Sequence, residues 1–301
     1  MAILNAQNPI LRGLYADPSM IKYNGKYYIY PTSDGFRSWS GTVFHAFSSD
    51  DLNTWKDEGI IVDVASEQVP WAIGSAWAPA MFEKNGRFYF YFCAKRQDGV
   101  SCIGLAVSDS PTGGFTAMEE PIMTMEMCRD AGVKMGQTID PSVYAEGDDV
   151  YLVFGNGHAA IAKLTDDLCG IVPGTMKNID GAHEFCEALD IQKRGGVYHF
   201  TWSCNDTRSP DYHVNYGTSE SLYGPITYRY TILSKDASRD ILGTGHHCIF
   251  REPDGDVYYI AYHRFGTPSA KYEGENGYNR EVCLEKLEFD ENGMMKPVVF
   301  R

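Results

Sequence analysis

The chain has 301 residues, 44% hydrophobic and 13% aromatic, with 20 Tyr and a net charge of −14 from 26 basic and 40 acidic residues. That balance excludes nucleic acid and anionic lipid as partners, since both demand basic patches, and no apolar run reaches membrane-span length. The eight cysteines form no CxxC pair and no close Cys/His cluster; several, such as Cys93 and Cys248, lie in apolar strand-like runs and read as buried reduced thiols.

The N-terminus, Met1-Ala2-Ile3-Leu4-Asn5, has neither a basic n-region nor an apolar h-region. The chain as given therefore reads as cytoplasmic, or as secreted or periplasmic where a signal peptide has been removed. A first element follows. Tyr15-Ala16-Asp17-Pro18-Ser19 leads to the turn Asn24-Gly25 and the strand Tyr27-Tyr28-Ile29-Tyr30. Ala76-Trp77-Ala78-Pro79-Ala80 leads likewise to Asn85-Gly86 and to Phe88-Tyr89-Phe90-Tyr91-Phe92. Ile139-Asp140-Pro141-Ser142 precedes Gly147-Asp148 and Val150-Tyr151-Leu152-Val153-Phe154. Cys186-Glu187-Ala188-Leu189 precedes Gly195-Gly196 and Val197-Tyr198-His199-Phe200-Thr201-Trp202. Last, Gly245-His246-His247-Cys248 precedes Gly255-Asp256 and Val257-Tyr258-Tyr259-Ile260-Ala261-Tyr262.

Strand–turn–strand content recurring at roughly 60 residues marks a repeat architecture. No window carries a helical apolar stripe, and strand runs are bounded by Gly, Asn, Asp and Pro. The expectation is all-β: a five-bladed β-propeller of four-stranded blades around a central axis, cut at about residues 14–70, 71–130, 131–183, 184–238 and 239–299. No low-complexity linker interrupts them, so residues 1–301 read as one domain. Asx and Ser turns before an aromatic, as in Ser49-Asp50-Asp51-Leu52-Asn53-Thr54-Trp55, fit the step from a third to an outer strand.

Equivalent positions of a propeller converge on its axis. Asp17, Asp140 and Glu187 should therefore share one central site, where their mutual repulsion drives their pKa values apart. Separated values let one carboxyl act as acid and another as base. Against this stands the ordinary use of Asp-Pro as a turn signal. Trp77 at the same register is a core residue or a stacking wall for a sugar ring. His246 is a satisfied core group or a cation ligand, and by strand alternation His247 points to the opposite face. Arg280 is a solvated arginine or one that binds sugar hydroxyls and tunes a carboxyl.

In these motifs the chain resembles family-43 glycoside hydrolases, which are five-bladed β-propellers. The resemblance rests on Asn8-Pro9-Ile10 and Tyr15 to Ser19, Trp77-Ala78-Pro79, Asp140-Pro141-Ser142, Glu187-Ala188 and Gly243-Thr244-Gly245-His246. It closes with Tyr262-His263-Arg264 and the run from Arg280 to Gly293. It covers nearly the whole chain in order. It implies an inverting hydrolysis with Asp17 as general base, Glu187 as general acid and Asp140 as the carboxylate that orients the acid and raises its pKa. It implies a central calcium ion near His246, and Arg280 reaching the terminal sugar. The acid motif often carries Pro where Leu189 stands here, so Glu184 is the fallback acid.

The stretch Pro31-Thr32-Ser33-Asp34-Gly35-Phe36 is similar to exo-acting α-L-arabinofuranosidases that trim plant cell-wall arabinan, and it places Phe36 at the substrate. β-Xylosidase, endo-arabinanase and exo-galactanase are the alternatives within the family. A non-catalytic sugar-binding propeller is the alternative of another class, although it has no need of three axial carboxylates. The partner in each case is an oligosaccharide, with no nucleic acid, no membrane and no organic cofactor.

Overall fold

Three of the five marked hairpins turn on two residues that both have positive φ: Asn24-Gly25 (49° and 80°), Asn85-Gly86 (56° and 78°) and Gly195-Gly196 (59° and 83°). Such turns match the right-handed twist of the strands they join. Each sets the register of a blade's first two strands, as in Tyr23 opposite Lys26 and Arg194 opposite Val197. The computed structural model describes residues 4, 5 and 7–301. Residues 1–3, part of the stretch read above for a targeting segment, and residue 6 lie outside it.

Blade one is β1 (Tyr15–Tyr23), β2 (Lys26–Ser33), β3 (Val43–Ser49) and β4 (Lys56–Asp63). Blade two is β5 (Gly74–Lys84), β6 (Arg87–Lys95), β7 (Ser101–Ser108) and β8 (Thr116–Ala117), followed by a short helix α1 (Met125–Asp130). Blade three is β9 (Ser142–Glu146), β10 (Asp149–Phe154), β11 (Ala160–Lys163) and β12 (Lys177–Asn178). Blade four is β13 (Phe185–Arg194), β14 (Val197–Cys204), β15 (His213–Ser219) and β16 (Thr227–Leu233). Blade five is β17 (Gly245–Arg251), β18 (Tyr258–Phe265) and β19 (Arg280–Leu287). Every blade is an antiparallel meander in chain order, and β1, β5, β9, β13 and β17 neighbour one another in a closed inner ring.

Four blades have four strands, as expected, while blade five has three among the described residues. Beside β19 the fourth place is taken by residues 8–10. Ile10 N donates to Val282 O (2.9 Å), and the Asn8 side chain accepts from Leu284 N (2.9 Å) while donating to Glu285 (2.7 Å). Pro9 has no N–H, so a full ladder cannot form there. Lys22 and Tyr27 of blade one also bond Glu252 of blade five, at 2.8 and 2.5 Å, so the ring is closed through side chains.

The core is divided into five wedges between adjacent blades. Tyr30, Phe44, Phe88, Phe90 and Phe92 fill the wedge between blades one and two; Phe200 and Trp202 meet Val153 and Ile161 between three and four. The second strand of each blade is covered on both faces, which is why those strands read as nearly unbroken apolar and aromatic runs. Two buried hydroxyls are satisfied across the wedges: Tyr30 bonds Pro111 O and Tyr91 bonds Leu168 O, both at 2.8 Å. All eight cysteines are free thiols.

Candidate active site

Each inner strand bends at the same place. Pairing slips between Ala16 and Ser19, Trp77 and Ala80, Glu187 and Asp190, and Gly245 and Cys248. In blade three the same step separates the Gly155 N–Ile139 O bond from Ser142. The first bulged residue has positive φ in every blade: Asp17 (49°), Ala78 (34°), Asp140 (58°), Ala188 (57°) and His246 (36°). Non-glycine residues held there store strain of about 1–3 kcal/mol each, and such bulges re-aim side chains beside functional sites. Asp17, Asp140 and His246 thus share one register, as expected. Trp77 and Glu187 do not: they stand one residue ahead of the bulge, whose own position is Ala78 or Ala188.

The bulges are tied to the preceding blade. Thr32 Oγ1 accepts from Ala78 N (2.7 Å), Cys93 Sγ from Asp140 N (3.1 Å) and Ser203 Oγ from His246 N (2.8 Å). His263 holds the matching position behind Asp17. Its Nδ1 lies 3.0 Å from Asp17 Oδ1 and 3.4 Å from Asp17 N. The shorter contact, to a carboxylate, requires the proton on Nδ1, so His263 donates to the carboxyl itself. Burial and the Arg280 charge push the His263 pKa down to about 3, which keeps the ring neutral.

Asp17, Asp140, Glu187, His246, Trp77 and Arg280 all line one cavity of about 280 Å³ at the axis. Arg280 is completely buried and forms a two-point pair with Asp34 (2.8 and 3.1 Å), while its Nη1 reaches Asp17 Oδ1 at 3.1 Å. Burial alone would raise the Asp17 pKa, but Arg280, His246 and His263 outweigh it and hold the carboxyl well below the usual range. Asp17 is therefore ionised. The ligating atoms of Asp140, Glu187 and His246 lie within 4.8 Å of one another. Burial first, then the charges of Glu187 and Asp17, push Asp140 well above its ordinary value, against the pull of Arg280. The anticipated like-charge repulsion is present, and in the free site it falls on Asp140. Glu187 accepts hydrogen bonds from Tyr212 Oη (2.7 Å) and Asn156 Nδ2 (2.9 Å), and a weaker one from the Cys186 thiol (3.8 Å).

The walls are aromatic. Trp77 donates through Nε1 to Trp39 O (2.6 Å), and the two indoles meet edge to face at 6.4 Å. Trp39 is fixed in turn by Gly277 O (2.8 Å) and Tyr278. Phe36, expected at the substrate, is 46% exposed and does not line the cavity; Trp39, three residues on, does. Glu184 does not line it either: its side chain is 64% exposed and faces His183, so Glu187 is the carboxyl at the site. His247 turns away and bonds Thr201 Oγ1 at 2.6 Å.

Sequence reading missed Asp34, Trp39, Asn156, Tyr212, His263 and the segment 206–208. Asp34 and His263 lay inside quoted motifs. Trp39, an aromatic amid Ser and Gly in a loop, carried the one general signal that could have found it.

The sequence profile of glycosyl hydrolases family 43 matches residues 6–295. A β-D-galactofuranosidase of Aspergillus niger is 30% identical over 97% of this chain and 85% of its own length. A xylosidase/arabinosidase of Humicola insolens is 31% identical, with 80% of this chain and 86% of the relative covered. A solved β-xylosidase/α-arabinofuranosidase from a compost microbial metagenome, in complex with xylotriose and in a calcium-free form, has TM-score 0.79 and 26% identity over 97% of each chain.

Proposed function

The chain belongs to glycosyl hydrolases family 43, and on that premise we propose an inverting, exo-acting hydrolase that releases α-L-arabinofuranose from arabinan or arabino-oligosaccharides. The observation that carries this reading is the unequal treatment of the carboxyls in one small cavity. Asp17 is held ionised by Arg280 and His263, which suits a base that takes a proton from water. Glu187, with a carboxyl oxygen within 4.8 Å of Asp140 and at the cavity wall, is the acid that protonates the leaving oxygen. Inversion places water between base and sugar, with the two carboxyls about 6.5–9.5 Å apart.

A cavity of about 280 Å³ is at the low end for small-molecule sites and suits the end of a chain rather than its middle, which supports exo action. Trp39 and Trp77 offer apolar faces to a sugar ring. The furanose preference draws on the relatives: α-L-arabinofuranose and β-D-galactofuranose share their ring configuration and differ in the exocyclic carbons. A β-xylosidase activity of the same site is the second reading, favoured by the xylosidase/arabinosidase relative. Nitrophenyl α-L-arabinofuranoside, β-D-xyloside and β-D-galactofuranoside, assayed side by side, decide among them. NMR of the first-formed anomer tests inversion; a product of retained configuration overturns it.

Calcium is part of the proposal. His246 supplies one nitrogen, and Asp140 and Glu187 supply carboxylate oxygens, against the six to eight oxygens calcium takes. Three donors, one of them the acid, fit such an ion only with water completing its shell. Bound, it would add positive charge beside the carboxylates. Exhaustive chelation is expected to lower both activity and melting temperature; unchanged values for both would remove calcium from the account.

A further inference from the structure

Tyr212 lies in no catalytic motif, yet it is completely buried and its hydroxyl bonds Glu187 Oε1 at 2.7 Å. The other carboxyl oxygen is taken by Asn156 Nδ2 at 2.9 Å. A carboxyl offers about four lone-pair positions. With a donor on each oxygen, and the Cys186 thiol also facing Oε2 at 3.8 Å, its rotation is fixed, and a remaining lone pair is left to carry the transferable proton.

The tyrosine ring is itself fixed. It stacks parallel on the His263 imidazole, with centroids 5.6 Å apart and planes 4° apart. It also lies against Gly245, where a Cβ would come within 2.2 Å of the ring; only glycine leaves room for it. His263 in turn donates from Nδ1 to Asp17 Oδ1 at 3.0 Å. One continuous line of contact therefore runs from Glu187 through Tyr212 and His263 to Asp17.

We propose that Tyr212 is a positioning residue for the acid Glu187, and that its stack on His263 holds acid and base at a fixed separation. The inference rests on Glu187 being the acid. A misaimed acid slows the departure of poor leaving groups, which need the proton, and spares good ones, which do not.

Tyr212→Phe removes the hydroxyl and keeps the ring and its stack. With a methyl or oligosaccharide pentoside, kcat is expected to fall about 10- to 100-fold with KM within about 2-fold; with a dinitrophenyl pentoside, kcat should change less than about 3-fold. His263→Phe keeps a stacked ring and loses the donor to Asp17, and should lower kcat on both substrates alike. Melting curves of both variants establish that the fold is retained. Equal loss on both substrates for Tyr212→Phe, a change confined to KM, or no change at all overturns the role of Tyr212. Unchanged kcat in His263→Phe overturns the link to the base. Glu187→Ala on the same pair separates the two levels. If it lacks leaving-group dependence, the acid assignment fails. If it has that dependence and Tyr212→Phe does not, only this inference fails.

Discussion

Arg280, paired with Asp34, sets the charge state of Asp17, the proposed base. A planar guanidinium can hold Asp34 at two points and still present Nη1 to Asp17; an ammonium cannot do both. Arg280→Lys keeps the charge but loses that geometry. The favourable interaction with ionised Asp17 weakens, so its pKa rises toward the ordinary carboxylate value. A base must be ionised to act, and the acid limb of the pH–rate profile is therefore expected to move to higher pH, while at neutral pH the carboxyl stays ionised and kcat/KM changes only through the lost Arg280 geometry. The profile with one activated aryl pentoside checks this. An unmoved acid limb would mean that Arg280 binds sugar without tuning Asp17.

At the scale of the element, the repeated unit is the bulged inner strand with its tie to the preceding blade. Thr32 Oγ1 is the acceptor for Ala78 N–H, next to the wall residue Trp77. Thr32→Val keeps the shape and leaves that buried donor unpaired, at a cost of about 1–3 kcal/mol. The urea midpoint should fall without a change of slope, and an unchanged midpoint would show the tie to be dispensable. These ties also mark what the sequence could convey. Gly-containing turns followed by aromatic strands are local signals, and they located all five blades, with the strands falling inside the cuts made from sequence. A bulge adds a residue without a mark in the hydrophobic pattern, so Trp77 and Glu187 were aligned one place from their true register. Asn156, Tyr212 and Arg208 reach the site from strand ends and loops, where no periodicity points to them. His263 was quoted within Tyr262-His263-Arg264, but nothing in its apolar strand marked it as a partner of Asp17. The fourth place of blade five was illegible because a segment more than 270 positions away along the chain fills it.

At the scale of the molecule, stability depends on five wedges meshing around the axis, and the wedge between blades four and five contains an ionisable group. Just past the bulge, Ser19 accepts from Met81 N across its wedge. Asp190 stands at the same step of blade four and accepts from Ile249 N (3.2 Å) and Gln192 Nε2 (3.1 Å). Burial pushes its pKa up to about 6, against the backbone and Gln192 hydrogen bonds. The folded value lies above the unfolded one, so the neutral form favours folding. This contribution is complete below about pH 4 and is lost as the pH rises through 6, amounting to about 3 kcal/mol. Asp190→Ser restores the side chain used in blade one, keeps an acceptor for Ile249 N and removes the titration. The variant should gain stability relative to the parent between pH 4 and 6 and hold a constant advantage above that range. Chemical denaturation at several pH values measures the difference directly. A difference independent of pH would show that Asp190 keeps the same charge throughout, and that its hydrogen bonds offset the burial.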